Sequence, residues 1–328
     1  MAQAQAQAQA RPSVSLDASQ AYLFDTMGFV IIRGALSPAE VAAANAAVDR
    51  NRETELRTRD PQSKQLRLSA GSRGLEGAKV GRQDCGTALS WPSPDGDVFR
   101  RLLAHPALVP YLNALCCPGY RLDHSPLIIV QRPGAEGFAL HGGNVGDDGG
   151  WNYTTAYTFQ GGRSYNALLN MSVALTDSGG ASGGLAVMPG SHKSNLPSPQ
   201  GLRLCEPEYR ALLTVPEVKA GDVVLFSEGT LHGTLPWSGE AERRAIFYRF
   251  TMPNHAYARG YTDGWGDELL ATCDDAQRSV LEPPYAPRIN RATLRVGEDG
   301  ETVTAEVGAP RDEAKVEFDR QVFGRPFF

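Results

Sequence analysis

The sequence lacks the features of several easily recognised protein classes. No apolar run is long enough to span a bilayer, so we expect no transmembrane helix. The 328 residues include only 5 cysteines, an odd and scattered set without a CxxC pair. This favours reduced thiols in an intracellular, cytoplasmic protein over a disulfide framework or a zinc site. The net charge of −5 argues against the basic surface of a nucleic-acid-binding protein.

The first 15 residues have no apolar core of the kind found in signal peptides. Alanine and glutamine alternate over Met1–Ala10, a low-complexity pattern that predicts a disordered tail. A remnant of an organelle-targeting segment is the alternative interpretation.

The remaining composition predicts a folded, mainly β (α+β) protein, with 41% hydrophobic residues, 35 glycines and 22 prolines. Helical patterns come first, over Ala18–Met27 and from Pro38 onwards, where Ser37 and Glu40 can form a capping box. Short apolar strands separated by turns then follow, at Leu127–Gln131, Ala167–Thr176, Leu185–Met188, Val223–Phe226 and Arg244–Thr251. This order predicts a double-stranded β-helix (jelly roll) over residues 16–262, flanked by N-terminal helices.

Residues 263–328 are interpreted as a C-terminal extension. Within it, the alternation over Thr293–Val307 predicts a β-hairpin that turns at Asp299 and Gly300.

Two of the six histidines lie in positions that suit a metal site. His141 ends a strand-like stretch before a glycine-rich loop, and His232 follows another strand. Eleven residues after His232, Arg243 begins the last long strand. Two imidazoles on neighbouring strands can hold a metal ion, and a buried arginine can bind a carboxylate with two hydrogen bonds.

Longer motifs around these residues make the chain similar to a known family. They are Gly28-Phe29-Val30-Ile31, Gly34-Ala35-Leu36-Ser37, Gly183-Gly184-Leu185, Pro189-Gly190-Ser191-His192-Lys193 and Gly221-Asp222-Val223-Val224-Leu225-Phe226, followed by His232-Gly233 and Arg243. Together they resemble the phytanoyl-CoA dioxygenase family of non-haem Fe(II)/2-oxoglutarate oxygenases, over roughly Leu23 to Tyr257.

The resemblance implies the jelly-roll fold and a dioxygenase that uses Fe(II), 2-oxoglutarate and O2. It implies that His141 and His232 bind the iron, and that Arg243 binds the distal carboxylate of 2-oxoglutarate. Arg244 is the alternative for that role, because neighbouring strand residues face opposite ways.

Two further polar residues lie on predicted core strands. Gln131 and Asn170 are candidates for contacting 2-oxoglutarate or the substrate, and the alternative is that they satisfy nearby backbone groups. His192 is interpreted as a residue that braces a loop beside the site, and His124 receives no catalytic role.

One position departs from the family's metal motif, which is His-x-Asp. Here Gly143 stands where the aspartate is expected. The position beside Gly143 can accept a halide, as in related halogenases, and chloride then joins the cofactors. Alternatively, water or a loop carboxylate, Asp147 or Asp148, fills it and leaves an oxygenase. A relative that binds iron poorly is the third interpretation.

These observations predict an enzyme that oxidises an aliphatic C–H bond of a small molecule, by hydroxylation or halogenation. The alternative is a non-catalytic jelly roll that binds small molecules, since a fold does not determine a function. Neither a nucleic acid nor a membrane is an expected partner. Five aromatic residues crowd the loop after His141, as a lid over the substrate or as a small loop core: Trp151, Tyr153, Tyr157, Phe159 and Tyr165.

Overall fold

The computed structural model describes residues 16–60, 67–77, 80–258, 264–285, 291–308 and 312–324. The predicted N-terminal tail, residues 1–15, lies outside them. In the described part of the chain, no helix is both long and apolar enough to cross a membrane.

Helices precede and follow a β-rich centre. The α-helices are Ala18–Met27, Pro38–Arg50, Arg52–Glu55, Asp95–Arg100, Val109–Leu115, Gln200–Arg203, Asp267–Ala271, Asp275–Leu281 and Glu313–Phe323. The strands are β1 (Phe29–Ile32), β2 (Arg57–Thr58), β3 (Gln83–Cys85), β4 (Arg121–Gln131), β5 (Phe138–His141), β6 (Tyr157–Gln160), β7 (Arg163–Asn166), β8 (Leu168–Ala174), β9 (Gly184–Val187), β10 (Val223–Ser227), β11 (His232–Leu235), β12 (Arg243–Thr251), β13 (Thr293–Val296) and β14 (Val303–Glu306).

The first two helices begin where the sequence supplies caps. Asp17 accepts a hydrogen bond from the Gln20 backbone, and Gly28 ends the helix Ala18–Met27 in the left-handed conformation, which glycine adopts without strain. Ser37 and Glu40 form the predicted capping box, with Pro38 in the first turn. This second helix ends at Arg50, and a separate short turn of helix follows it.

Two antiparallel sheets form the predicted jelly roll. The large sheet has the strand order β1-β10-β8-β12-β4-β3-β2, and the small sheet has the order β5-β11-β9. The fold prediction is therefore confirmed. The glycine-rich segment after His141 is less irregular than expected, because β6 and β7 pair there as a hairpin.

Alternation along the central strands separates two apolar regions. On β8 and β10, Met171, Val173 and Leu225 pack with the helices, on the outer face of the large sheet. Val224 and Phe226 instead pack with Leu185 and Val187 of the small sheet, between the sheets. This interior is where functional side chains can be buried but still reach a ligand.

The C-terminal segment packs into the apolar cluster on the outer face of the large sheet. The predicted hairpin forms from β13 and β14, and Leu294 of β13 is buried in the same cluster as the helices and β8. The Asn113 side chain donates a hydrogen bond to the Leu294 carbonyl. The division of the chain at residues 262 and 263 stays a prediction.

Candidate metal centre

His141 and His232 lie side by side on neighbouring strands of the small sheet. β5 pairs antiparallel to β11, and His141 is the register partner of His232. The centroids of the two imidazole rings are 4.2 Å apart. The structure therefore brings together the two histidines that the motifs single out.

Each ring is held by a carbonyl of its own strand or of the turn before it. His141 Nδ1 donates to the Ala139 carbonyl over 3.1 Å, and His232 Nδ1 donates to the Thr230 carbonyl over 2.8 Å. These bonds place the protons on Nδ1, so each Nε2 presents a lone pair. Burial lowers the pKa of both rings, that of His232 to about 4, with the neighbouring His141 lowering it further. At neutral pH both rings have the uncharged form that binds metals.

Glu228 supplies a carboxylate beside this pair. It follows β10 directly and is buried, and its Oε2 lies 3.9 Å from His232 Nε2. One donor atom from each of His141, Glu228 and His232 lies within 4.8 Å of the other two. Among the described residues, this is the one group of three or more metal-binding side chains. Two imidazoles and a carboxylate are a donor set that suits Fe(II).

Hydrogen bonding and charge keep Glu228 ionised. Burial alone would raise its pKa, but the two histidines in their protonated forms, the charge of Arg249 and the hydrogen bond from Asn170 hold the pKa below its ordinary value. Asn170 Nδ2 donates to Glu228 Oε2 over 2.5 Å. Asn170 therefore holds the Glu228 carboxylate, and its contact with 2-oxoglutarate or substrate stays a prediction.

Gly143 stands two residues after His141, where the family's metal motif has an aspartate. Its φ of +107° lies in the region that favours glycine. A Cβ atom built there would lie 3.6 Å from Leu231 Cδ2 and 3.8 Å from the Val145 carbonyl oxygen, and within 4 Å of neither ring. Gly143 and Leu231 instead line an apolar cavity of about 260 Å³.

The loop carboxylates have other partners. Asp147 forms an ion pair with Arg203 at 2.7 Å, and Asp148 accepts a hydrogen bond from the Gly150 backbone. Neither belongs to the group that contains the histidines. Glu228 is the carboxylate that the structure places beside the two histidines, and what occupies the position beside Gly143 stays a prediction.

Arg243 is a buried cation in the barrel interior. Its side chain is 1% exposed, and Nη1 donates to Gln131 Oε1 over 2.7 Å. Its Nε is buried without a hydrogen-bond partner, and no carboxylate of the described residues forms an ion pair with it. Burial and the nearby Arg82 lower the pKa of Arg243 to about 10, which leaves it charged at neutral pH. An unpaired, buried guanidinium fits a ligand carboxylate.

Gln131 and Gly184 shape the surroundings of Arg243. Gln131 is buried and holds the guanidinium, so it supports the predicted carboxylate site indirectly. A Cβ on Gly184 would lie only 2.8 Å from Arg243 Nε. Glycine at this position leaves the guanidinium the room that it occupies.

Arg244 faces the other side of the large sheet. Its guanidinium donates to Glu242 over 2.7 Å and to Asp49 of the helix Pro38–Arg50 over 2.6 Å. Arg244 therefore forms ion pairs on the face of the large sheet that packs against the helices. The structure thus places Arg243, and not Arg244, in the interior.

The other two singled-out histidines lie outside the group. His192 is buried, and its Nε2 donates to the Asp25 carbonyl over 2.9 Å, which joins its loop to the first helix. His124 contacts Asp123 and Arg249.

Glu228 and Arg249 are residues that sequence reasoning missed. Glu228 stands four residues before His232, just after a predicted strand. This closeness to a predicted metal ligand is the sequence signal that could have indicated Glu228. Arg249 follows Arg243 along the same strand at an even spacing, which indicates the same face.

Comparisons with known proteins agree with this architecture. The chain matches the profile of the family described as Phytanoyl-CoA dioxygenase (PhyH) over residues 24–245. No curated protein sequence matches it significantly.

Solved structures of similar fold include three enzymes. HygX from Streptomyces hygroscopicus, with nickel, 2-oxoglutarate and hygromycin B bound, has 23% identity and a TM-score of 0.59, and the match covers 74% of this chain and 90% of HygX. The carbocyclase SnoK from nogalamycin biosynthesis has 20% identity and a TM-score of 0.51, over 83% of this chain and 94% of SnoK. The epimerase SnoN, in complex with Fe3+, alpha ketoglutarate and nogalamycin RO, has 19% identity and a TM-score of 0.51, over 81% of this chain and 94% of SnoN.

These structures share the fold, and the family profile spans the histidine pair, Glu228 and Arg243. The chain belongs to the phytanoyl-CoA dioxygenase (PhyH) family.

Proposed function

We propose that the protein is an Fe(II)/2-oxoglutarate-dependent oxygenase that hydroxylates an aliphatic C–H bond of a small molecule. The observation that carries this proposal is the group of His141, Glu228 and His232, whose donor atoms lie within 4.8 Å of one another. The unpaired guanidinium of Arg243 in the same interior supports it.

In this proposal, each side chain has a distinct part. His141 Nε2, His232 Nε2 and a Glu228 oxygen hold the iron, while Arg243, held by Gln131, binds the distal carboxylate of 2-oxoglutarate. With 2-oxoglutarate and O2, the bound iron supplies an oxidant strong enough for an unactivated C–H bond, and the co-substrate is consumed to succinate and CO2. The protein orients these partners and excludes water from the buried side.

Glu228 favours hydroxylation over chlorination. A halide needs a metal position that no protein carboxylate occupies, and the ionised Glu228 lies beside both histidines. A chloride there would be repelled by the carboxylate and would compete with it for the metal.

The donor set also favours an enzyme over a binding module. A module that binds small molecules without turnover has no need of two neutral imidazoles and an anionic oxygen around one point. The related structures hold nickel, 2-oxoglutarate and hygromycin B in HygX, and Fe3+, alpha ketoglutarate and nogalamycin RO in SnoN. These relatives support a small-molecule substrate here.

The test uses Fe(II)-loaded protein with 2-oxoglutarate, and it measures succinate release in air and the visible spectrum under anaerobic conditions. We expect wild type to release succinate and to show no spectral change with chloride. Glu228→Ala opens a metal position, so its spectrum should respond to chloride. The matched control, Glu306→Gln on the exposed hairpin, should behave as wild type. Absence of succinate from iron-loaded wild type would contradict the enzyme, and a chloride response in wild type would contradict hydroxylation.

A further inference from the structure

A second arginine of β12 lies near the metal centre. Arg249 is the register partner of Asn170 on β8, and residues paired in this way face the same side of a sheet. Asn170 is the residue that donates to Glu228. Phe226, another register partner of Asn170, has its ring centroid 4.7 Å from that of His232. Arg249 therefore stands level with the histidines, whereas Arg243 lies deeper, at the other end of the strand.

The position of Arg249 is set by two hydrogen bonds in series. Arg249 Nη1 donates to His124 Nε2 over 3.2 Å, and His124 Nδ1 donates to Asp123 Oδ2 over 2.8 Å. Asp123 is fully buried and also accepts the backbone N–H groups of Tyr257 and Ala258. The hydrogen bond to Asp123 thus holds His124 in the tautomer whose Nε2 accepts a hydrogen bond from Arg249.

The charge of Arg249 has no partner of opposite sign in contact with it. Of the carboxylates in the described ranges, none forms an ion pair with its guanidinium, and Asp123 is itself within 3.4 Å of Arg121. Iron(II), the 2-oxoglutarate dianion, Glu228 and Arg243 together carry no net charge in the proposed complex. One positive charge, that of Arg249, then remains beside the metal centre.

Arg249 is also accessible. It is half-buried, unlike Arg243, and the ring of Tyr257, which is half exposed, lies 6.2 Å from that of His124. A ligand that approaches the histidines from this side meets a guanidinium that is held in place and forms no contact ion pair with the described carboxylates.

We propose that Arg249, positioned by His124, binds the anionic group of the primary substrate, and that this substrate is a small monocarboxylic acid. A single unpaired charge favours a monoanion, and a guanidinium matches a carboxylate in shape. The inference rests on the proposed function, which supplies the iron and 2-oxoglutarate beside which this acid would bind. Arg243 binds the distal carboxylate of 2-oxoglutarate, so the two arginines bind the carboxylates of different molecules.

The experiment titrates octanoate and benzoate into anaerobic protein loaded with Fe(II) and 2-oxoglutarate, using calorimetry and the visible spectrum of the iron complex. Octanamide and benzamide are the uncharged probes. We expect at least one acid to bind wild type and to bind Arg249→Gln at least roughly tenfold more weakly, because a charge-assisted contact is lost. The amides should not distinguish the two proteins, and Arg163→Gln, at an exposed arginine of β7, should match wild type.

The positioning role of His124 has its own test. His124→Gln keeps an oxygen that can accept from Arg249, and it should retain most of the acid binding. His124→Leu removes the acceptor and should lose it. Equal losses in the two variants would contradict positioning through this hydrogen bond.

Iron and 2-oxoglutarate are titrated first on the same preparations. If wild type binds neither, the proposed function and this inference both fail. If both bind, the inference alone is overturned when no acid binds wild type or when Arg249→Gln binds the acids normally. It is also overturned if Arg249→Gln, and not Arg243→Gln, weakens 2-oxoglutarate binding, because Arg249 would then hold the co-substrate.

Discussion

Glu228 shows how a carboxylate can reach two histidines without the usual spacing. It comes from the end of β10 and not from the loop after His141, and Asn170 on β8 fixes its orientation. The carboxylate thus reaches the pair from the large sheet, while both imidazoles belong to the small sheet.

The first prediction at this scale concerns iron affinity. Glu228→Ala removes the only anionic donor of the group, so Fe(II) affinity should fall. Mutating a residue that only hydrogen-bonds to a metal ligand typically lowers metal affinity by roughly 10- to 100-fold, and we expect the loss in Glu228→Ala to be larger. Anaerobic titration measures it. Glu228→Asp should recover part of the affinity, and Asn170→Leu should cause a smaller loss. Unchanged affinity in Glu228→Ala would remove this residue from the metal centre.

The second prediction separates the adjacent arginines. Arg243→Gln should weaken 2-oxoglutarate binding by about 2–4 kcal/mol, because a buried charge-assisted contact is lost. Arg244→Gln should leave that binding unchanged, since its guanidinium is paired with Glu242 and Asp49 on the helical side. Calorimetry on the iron-loaded protein measures both variants. The reverse result would mean that β12 presents its other face to the co-substrate.

At the scale of elements, the strands deliver the functional residues through register. β5 and β11 place the histidines opposite each other, and β8 and β12 place Asn170 opposite Arg249. The five aromatic residues after His141 lie in two different environments. Tyr157 is buried and packs against Phe24, while the other aromatic residues of that segment are exposed.

The helix Pro38–Arg50 carries a titratable cap. Burial would raise the pKa of Glu40, but hydrogen bonds from the Ser37 backbone and side chain and from His105 lower it to about 2. A depressed carboxyl pKa stabilises the fold above the unfolded value, near 4.5, and this stabilisation is lost as the pH falls toward about 2.

The third prediction follows from that cap. Glu40→Gln should lower the free energy of unfolding at neutral pH, and the difference from wild type should shrink as the pH falls below about 4.5. Urea unfolding across this range measures it. Glu208→Gln, outside any capping box, is the control. A difference that is independent of pH would show that the Glu40 charge does not contribute.

At the scale of the molecule, the C-terminal extension is part of the main core. Leu294 of the β13–β14 hairpin is 2% exposed and belongs to the cluster that includes the outer face of the large sheet. The helix Asp275–Leu281 contributes Val280 and Leu281 to the same cluster. This segment therefore stabilises the layer that supports the jelly roll from outside.

The fourth prediction tests this shared core. Leu294→Ala should destabilise the whole protein by about 2–5 kcal/mol, because a cavity forms in a continuous cluster. Val307→Ala, at an exposed position just after the hairpin, should change stability little. Thermal unfolding followed by circular dichroism measures both. A local transition in Leu294→Ala, with the main transition unmoved, would indicate a separately folding extension.

The sequence could predict the elements that local chemistry controls. The capping box at Ser37 predicted the start of the second helix, and short apolar runs between turns predicted the strands of the jelly roll. The histidine pair was predictable because each residue lies in a recognisable motif. Glu228 was not, since its closeness to His141 depends on how the two sheets pack. Alternation alone could not predict which face of β12 points inward. It places Arg243 and Arg244 on opposite faces but does not determine which of them lies in the interior.

The pairing of β5 with β11 joins segments that are far apart in the chain. In a small sheet of three strands, β5 is an edge strand whose contacts form only on long-range closure. A metal ion held by both His141 and His232 would bind only when β5 is paired with β11. It would therefore oppose local separation of these two strands. Backbone amides of β11 should then exchange with solvent deuterium more slowly as the metal concentration rises.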